Sequence, residues 1–312
     1  MDLDSLMINS SHFGIKPVSG ALGAEIDGVD LGKPISAVVF DDLHQALMDY
    51  KVIFFRDQDL TPEQHIAFSR RFGEPMEDMF VKESEDYPEL MELLKEADDT
   101  GYNFGGSWHS DSTYRTSPPM GVSLYARELP PFGGDTIWCN MEMVFENLSA
   151  GMQSMLEPLY AEHLAQGYRE KLAVIKGDYS KSFENVGDVV RVEVNHPVVR
   201  VHPVTGRKSL FINDAYTHRF ANMTAEESQP LIEYLCNFAI RPYFTCRFSW
   251  QPGSLAIWDN RNTMHYAISD YHGHRRLMHR YTMKGDKPMG MVSYLECNMS
   301  SDNISGNNNE NL

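Results

Sequence analysis

Short apolar runs bounded by turn residues recur along the chain and predict β-strands. The run at 51–55 is compact and apolar and predicts a buried strand. Two runs at 196–201 and 209–213 flank Thr205-Gly206, a pattern typical of a β-hairpin. Further strands are predicted at 121–126, 135–138, 244–250, 254–258 and 277–283.

Helices are predicted where apolar residues recur at helical spacing behind a capping residue. Ser36 is expected to begin one that extends to Tyr50. Thr61, followed by a proline and then by Gln64, is expected to begin a second that runs to 72–73. A third is predicted at 224–240, behind a capping box of threonine and glutamate.

Two further stretches are less regular. The acidic segment 81–99 is predicted to be partly helical around Leu90, Leu93 and Leu94, and 141–156 is predicted to be helical. A polar middle that reaches residue 187 then precedes a second β-rich half. Short strands in both halves, with helices gathered at the start and in the insert, favour a mainly β barrel or sandwich with flanking helices over a parallel βαβ sheet.

The chain shows no internal repeat and no clear linker, so residues 1–299 are predicted to form a single domain. The tail 300–312, dense in asparagine and serine, is predicted to be disordered. A chain of 312 residues is long for one domain, but large β barrels and sandwiches reach this size. With 42% hydrophobic and 23% charged residues, a large core is available.

The charge and the cysteines exclude several classes of protein. A net charge of -17 argues against a nucleic-acid partner, although a small acidic substrate needs only a locally basic pocket. The four cysteines form no Cys-x-x-Cys pair, which argues against a disulfide framework or a zinc–thiolate site. Neither a signal peptide nor an apolar stretch long enough to cross a bilayer is present. We therefore expect a soluble, cytoplasmic protein with no membrane partner; its subunit number stays open, a homo-oligomer included.

A candidate metal site centres on Trp108-His109-Ser110-Asp111. Side chains two residues apart point to the same side of an extended backbone, so His109 and Asp111 could bind one metal and leave its other side open. That arrangement suits the 2-His-1-carboxylate triad of non-haem Fe(II) oxygenases. Alone the pair is weak support, because a surface histidine near an aspartate is common.

His265, after the apolar run 255–258, is the candidate third ligand, and Arg276 and Arg280 follow it. An oxygenase that uses 2-oxoglutarate must neutralise the distal carboxylate of this co-substrate, and a guanidinium binds carboxylate bidentately without losing its charge. In the predicted strand the two arginines share a face. The plain alternatives are a core histidine and a solvated basic patch.

Several motifs in order then carry a family resemblance over about 14–287. The sequence resembles the TauD/TfdA family of Fe(II)- and 2-oxoglutarate-dependent dioxygenases. The motifs are Arg71-Phe72-Gly73-Glu74, Trp108-His109-Ser110-Asp111, Gly133-Gly134-Asp135-Thr136, His196-Pro197-Val198-Val199-Arg200, Trp250-Gln251-Pro252, Trp258-Asp259-Asn260-Arg261 and Arg275-Arg276-Leu277-Met278-His279-Arg280.

The resemblance implies a double-stranded β-helix, the jelly roll of clavaminate synthase-like proteins. It implies Fe(II) bound by His109, Asp111 and His265. It also implies that the co-substrates are 2-oxoglutarate and O2, and that Thr136 and Arg276 hold the C5 carboxylate of 2-oxoglutarate. The implied reaction is hydroxylation with release of succinate and CO2, followed by C–S or C–O cleavage when the hydroxylated carbon bears a sulfonate or an ether oxygen.

Three further residues match or depart from the family's substrate site. Arg280 matches the arginine that holds the sulfonate in the family's type member, and Tyr216 matches an aromatic residue against the substrate. Asp78 stands where that enzyme has a histidine that helps bind the sulfonate. A carboxylate there would repel a sulfonate, which argues against taurine. A small acidic substrate is expected: a sulfonate, a carboxylate or an aryloxyalkanoate.

Two other classes fit part of the pattern. The same three ligands could hold a catalytic zinc in a hydrolase. The protein could also be a cupin-like binding protein without catalysis. The pairing of Thr136 with Arg276 argues against the hydrolase. Retention of all three ligands together with this carboxylate clamp argues against the binding protein.

Overall fold

The computed structural model describes residues 8–9, 12–77, 84, 86–99, 105–165 and 193–296. This part of the chain is mainly β. In chain order the strands are β1 (Ile8–Asn9), β2 (Gly14–Pro17), β3 (Ala24–Asp27), β4 (Val52–Phe55), β5 (Leu90–Lys95), β6 (Gly121–Glu128), β7 (Thr136–Asn140), β8 (Tyr160–Leu164), β9 (Glu193–Pro197), β10 (Val199–Val201), β11 (Lys208–Leu210), β12 (Thr217–Phe220), β13 (Thr245–Phe248), β14 (Leu255–Asp259), β15 (Thr263–Ala267) and β16 (Arg276–Met283).

Two sheets form the sandwich that carries the site. The larger has eight strands in the order β1-β2-β3-β4-β14-β6-β16-β5, and the smaller has the order β13-β7-β15. An apolar cluster contains residues from both sheets, with Phe54 and Met278 from the larger and Trp138 and Phe248 from the smaller. Phe54 stacks on Phe248 with ring centres 4.0 Å apart. The expected double-stranded β-helix is confirmed, with its core between the two sheets.

Helices cover the outer faces. They are α1 (Ala37–Tyr50), α2 (Pro62–Arg70), α3 (Met141–Glu146), α4 (Ala150–Leu156) and α5 (Ala225–Ala239). The apolar faces of α1 and α2 pack on the outside of the large sheet, and α3 to α5 pack against the smaller sheets. The capping boxes at Thr61 and Thr224 are both present. The three capped helices predicted from sequence are therefore confirmed.

The structure corrects three predictions of helices. Residues 90–95 form the strand β5 and not a helix. They pair in antiparallel register with Arg276–Tyr281 of β16. The predicted helix 141–156 is two helices, since Ser149 caps a new helix after a break. The helix that begins after Thr61 ends at Arg70, two to three residues early, where the backbone N–H of Arg71 bonds the carbonyl oxygens of Phe68 and Ser69.

Some predictions lie outside the described residues, namely most of the polar middle and the tail 300–312. Among the described residues, Cys139, Cys236 and Cys246 are free thiols. No helix in the described ranges has the length and apolar character needed to cross a membrane.

His65 makes the fold sensitive to acid. It is fully buried on α2, with Nε2 2.6 Å from Oγ of Ser123. Burial lowers the pKa of His65 from 6.5 to about 3. Below pH 6.5 the unfolded chain therefore binds a proton that the folded chain does not, and the free energy of unfolding falls by about 1.4 kcal/mol per pH unit down to the folded pKa.

We therefore expect His65→Gln to reduce the acid sensitivity of the fold. Urea unfolding at pH 6.5 and pH 5 should show a loss about 1.6 kcal/mol smaller in the variant than in the wild-type protein, because the unfolded histidine is already half protonated at pH 6.5. The comparison uses the difference between the two pH values, so that a constant cost of the substitution cancels. Equal losses in both proteins would contradict the assignment.

Candidate active site

Two predicted metal ligands are joined through the main chain. His265 lies in the middle of β15, and His109 lies opposite it in a single antiparallel bridge. The N–H of His265 donates to the carbonyl oxygen of His109 at 2.7 Å, and the reverse bond is 3.1 Å. The relative position of the two histidines is thus set by backbone bonds, and their ring centres lie 4.1 Å apart.

Asp111 completes a compact cluster of three buried groups. One ligand atom from each of His109, Asp111 and His265 lies within 4.8 Å of the others. The Nε2 atoms of both histidines face the carboxylate, at 3.7 Å for His109 and 3.8 Å for His265. The prediction that His265, 154 residues further along the chain than Asp111, joins the motif is supported by this geometry.

The histidine rings are oriented for binding through Nε2. Nδ1 of His109 lies 2.7 Å from the carbonyl oxygen of Ser107, to which it donates, so the lone pair of the neutral ring is on Nε2. Burial, together with His109, lowers the pKa of His265 to about 3. A neutral imidazole is the form that binds a metal.

Arg280 pairs directly with Asp111. One guanidinium nitrogen lies 2.8 Å from Oδ1 of Asp111, and both side chains are buried. Burial alone would raise the pKa of the Asp111 carboxyl, but Arg280, aided by the two histidines, outweighs it and holds this pKa well below its ordinary value. The carboxylate is therefore ionised throughout the physiological range.

The donor set fits Fe(II). Oδ2 of Asp111 is buried and has no hydrogen-bond partner among the described residues, although a buried carboxylate oxygen is costly to leave alone. A cation bound between this oxygen and the two Nε2 atoms would satisfy it. Two imidazoles and one carboxylate on one side are the ligands typical of non-haem Fe(II) oxygenases.

Asn260 fixes the backbone of the predicted ligand Asp111, a role that the sequence did not reveal. It follows β14, and its side-chain oxygen accepts from the backbone N–H of Asp111 at 2.7 Å. Its amide group donates to the carbonyl oxygens of Asp111 and Pro119. Asn260 thus bonds both the backbone N–H and the backbone carbonyl of Asp111.

We expect Asn260→Ala to weaken metal binding without removing a ligand. The substitution leaves the buried backbone groups of Asp111 without partners and frees the direction of its carboxylate. Fe(II) affinity should fall by roughly 10–100-fold, the range for residues that orient metal ligands. Calorimetric titration would measure the change, and unaltered affinity in a folded variant would contradict this role.

Thr136 and Arg276 are brought to the same region. Thr136 begins β7, and its hydroxyl oxygen accepts from the indole N–H of Trp250 at 3.0 Å, which directs the hydroxyl proton elsewhere. Arg276 begins β16 and donates to the carbonyl oxygen of Gly134, two residues before Thr136, at 3.3 Å. A Cβ on Gly134 would lie 3.4 Å from Nε of Arg276, and the positive φ of +71° there also favours glycine.

The predicted substrate residues divide into two groups. Arg280 is in the site, and Tyr216 is buried with its ring edge-to-face against His109, ring centres 6.3 Å apart. Asp78 lies outside the described residues. Tyr216 therefore lies beside a predicted metal ligand, while its contact with a substrate and the role of Asp78 stay predictions.

Comparisons with known proteins agree with the site. The family described as "Taurine catabolism dioxygenase TauD, TfdA family" matches residues 14–282. An alpha-ketoglutarate-dependent sulfate ester dioxygenase of Pseudomonas putida is 32% identical over 90% of this chain and 92% of its own. A (S)-phenoxypropionate/alpha-ketoglutarate-dioxygenase of Sphingobium herbicidovorans is 32% identical over 89% and 96%.

A solved structure also resembles this one. A putative alpha-ketoglutarate-dependent taurine dioxygenase from Burkholderia xenovorans superimposes with a TM-score of 0.77 at 35% identity, covering 90% of this chain and 95% of its own.

The jelly roll, the cluster of two histidines and a carboxylate, and the relatives together indicate a class, the Fe(II)- and 2-oxoglutarate-dependent dioxygenases. These enzymes are oxidoreductases whose co-substrates are 2-oxoglutarate and O2. Within that class, the chain belongs to the TauD/TfdA family. The zinc hydrolase and the non-catalytic binding protein are not favoured.

Proposed function

We propose that this dioxygenase hydroxylates a small organic acid whose anionic group binds Arg280. The observation that carries the proposal is the 2.8 Å contact between Arg280 and Asp111, which puts a buried guanidinium within the ligand cluster. A guanidinium has five N–H donors and can bind a second anion beside the carboxylate. An acid held there lies next to the metal.

The other residues have separate roles in the proposal. His109, Asp111 and His265 would hold Fe(II), and Thr136 and Arg276 would hold the distal carboxylate of 2-oxoglutarate. When bound, Fe(II) and 2-oxoglutarate supply the oxidising power that inserts oxygen into a C–H bond. The protein orients the substrate carbon and excludes water, and the ring of Tyr216 forms one apolar wall.

The relatives support a narrower class of substrate. Two of them are named for a sulfate ester and for phenoxypropionate, which both carry an ester or ether oxygen on the carbon chain and one acidic group. We infer that the substrate here is a sulfate ester or an aryloxyalkanoate. Hydroxylation of the carbon that bears the oxygen gives a product that breaks its C–O bond.

A panel of compounds tests this proposal. Alkyl sulfates, aryloxyalkanoates, alkanesulfonates and the matching uncharged alcohols would be incubated with enzyme, Fe(II), 2-oxoglutarate and O2, and succinate would be measured. We expect release of succinate that depends on an acid of the first two kinds and not on the alcohols. Equal turnover of acids and alcohols would contradict the role of the anionic group.

Arg280→Met tests the residue itself. The variant should raise the KM for the acid by roughly 10–100-fold, since charge-assisted hydrogen bonds contribute about 1.5–3 kcal/mol. Arg247→Met is a suitable control, because Arg247 is exposed on β13 and pairs with Asp135, which precedes β7. An unchanged KM in Arg280→Met would contradict the assignment.

A further inference from the structure

Lys95 is a buried lysine that the site described so far does not use. It ends β5, and its side chain is 6% exposed. Its Cα pairs with that of Arg276 on β16. Directly paired residues of antiparallel strands have their side chains on the same face, so Lys95 and Arg276 are neighbours on one face of the large sheet.

The two cations share one aromatic ring. Nζ of Lys95 lies 4.5 Å from the centre of the Tyr271 ring and donates to Oγ of Ser269 at 2.9 Å. The guanidinium carbon of Arg276 lies 5.7 Å from the same ring centre. Tyr271 is itself buried, at 4% exposed. Both positive groups therefore lie near the same buried ring.

The Lys95 ammonium is not paired with a carboxylate of the described residues. Among the residues that the structure describes, no carboxylate oxygen lies within 4.0 Å of Nζ of Lys95; Asp99 acts on it only at longer range. Burial, reinforced by Arg276, lowers the pKa of Lys95. A buried ammonium is costly to leave without an anion, and repulsion by the nearby, partly buried guanidinium of Arg276 adds to that cost.

We propose that Lys95 is a second cation for the distal carboxylate of 2-oxoglutarate, acting together with Arg276. The inference rests on the role proposed above for Arg276. A carboxylate has two oxygens with about four acceptor positions, enough for a guanidinium, the Thr136 hydroxyl and an ammonium. A lysine within this subsite would raise the affinity for 2-oxo acids that carry the distal carboxylate above that for those that lack it.

The test compares 2-oxoglutarate with 2-oxovalerate, which has the same chain length but no distal carboxylate. Binding to Mn(II)-loaded protein would be measured by calorimetry, with 2-oxovalerate followed by competition where it is weak. We expect Lys95→Met to weaken 2-oxoglutarate binding by roughly 10–100-fold, the range for a hydrogen bond to a charged group. Binding of 2-oxovalerate should change by less than about twofold, as expected when only the contact to the missing group is lost.

Three further variants separate direct contact from support of the fold. Lys95→Arg keeps the charge and should retain most of the affinity for 2-oxoglutarate. Ser269→Ala removes the hydrogen bond of Lys95 but keeps its charge, and should change the affinity by only a fewfold. Lys16→Met is the control, because Lys16 is exposed on β2. If Ser269→Ala reproduced Lys95→Met, or if Lys95→Arg failed to rescue it, Lys95 would act by positioning the loop and the proposal would be wrong.

The binding measurements on the two 2-oxo acids have further outcomes that would contradict the proposal. Equal losses for both 2-oxo acids, or no loss for either, would also overturn the role of Lys95. Failure of the wild-type protein to bind 2-oxoglutarate would overturn both the co-substrate assignment and this inference. Normal wild-type binding that is unaltered in Lys95→Met would remove the inference alone.

Discussion

His109→Ala should reduce turnover by more than about 100-fold, exceeding the loss for residues that only orient a metal ligand. The variant lacks one of three ligands, and the alanine side chain offers no replacement. The fold should survive, because the bonds that join residue 109 to His265 are made by the main chain. Bound iron would be measured after desalting, alongside succinate production with a substrate from the panel.

His218→Ala is the matched control for this experiment. His218 is an exposed histidine on β12 and is not one of the three predicted ligands. We expect it to retain its iron and its activity. Full activity in a folded His109→Ala protein would show that the metal is bound elsewhere.

Arg276→Ala should raise the KM for 2-oxoglutarate by about 100-fold, since it removes a bidentate pair of charge-assisted hydrogen bonds. The maximal rate at saturating co-substrate should change much less, because the opposite end of 2-oxoglutarate would still bind the metal. Initial rates of succinate formation over a range of 2-oxoglutarate concentrations measure both constants.

The neighbouring arginine provides an internal control. Arg275 is exposed and pairs with Glu96 and Glu128, on the other side of the strand from Arg276. Arg275→Ala should leave the KM for 2-oxoglutarate unchanged. A similar increase in both variants would indicate a general effect of lost positive charge and would contradict a specific clamp.

The sequence was sufficient to predict an element where the residues that determine it are close together in the chain. Capping boxes at Thr61 and Thr224 depend on residues three apart, and the structure forms both. The strand β5 was missed because Leu90, Leu93 and Leu94 have helical spacing, while the bonds that make them a strand come from β16, which lies far along the chain. Local periodicity carries no information about such a distant partner.

The same distinction holds within the site. His109 and Asp111 are a local pair, and the apolar run before His265 pointed to a third ligand. The contact between Arg280 and Asp111 depends on how two strands meet in space, and so does the support from Asn260. Asn260 stands in the motif Trp258-Asp259-Asn260-Arg261, so the sequence marked the residue but did not indicate that it bonds the backbone of Asp111.

The main-chain bridge between His109 and His265 has a consequence for the history of the family. Every amino acid except proline has the same backbone donor and acceptor, so the bonds that set the spacing of these two ligands do not depend on which side chains surround them. Mutations in the substrate pocket that spare Arg280, which pairs with Asp111, can accumulate without changing the spacing of the two histidines. Because the spacing of the two histidines is independent of the substrate pocket, family members can keep the same metal site while their pockets change to accept different acids.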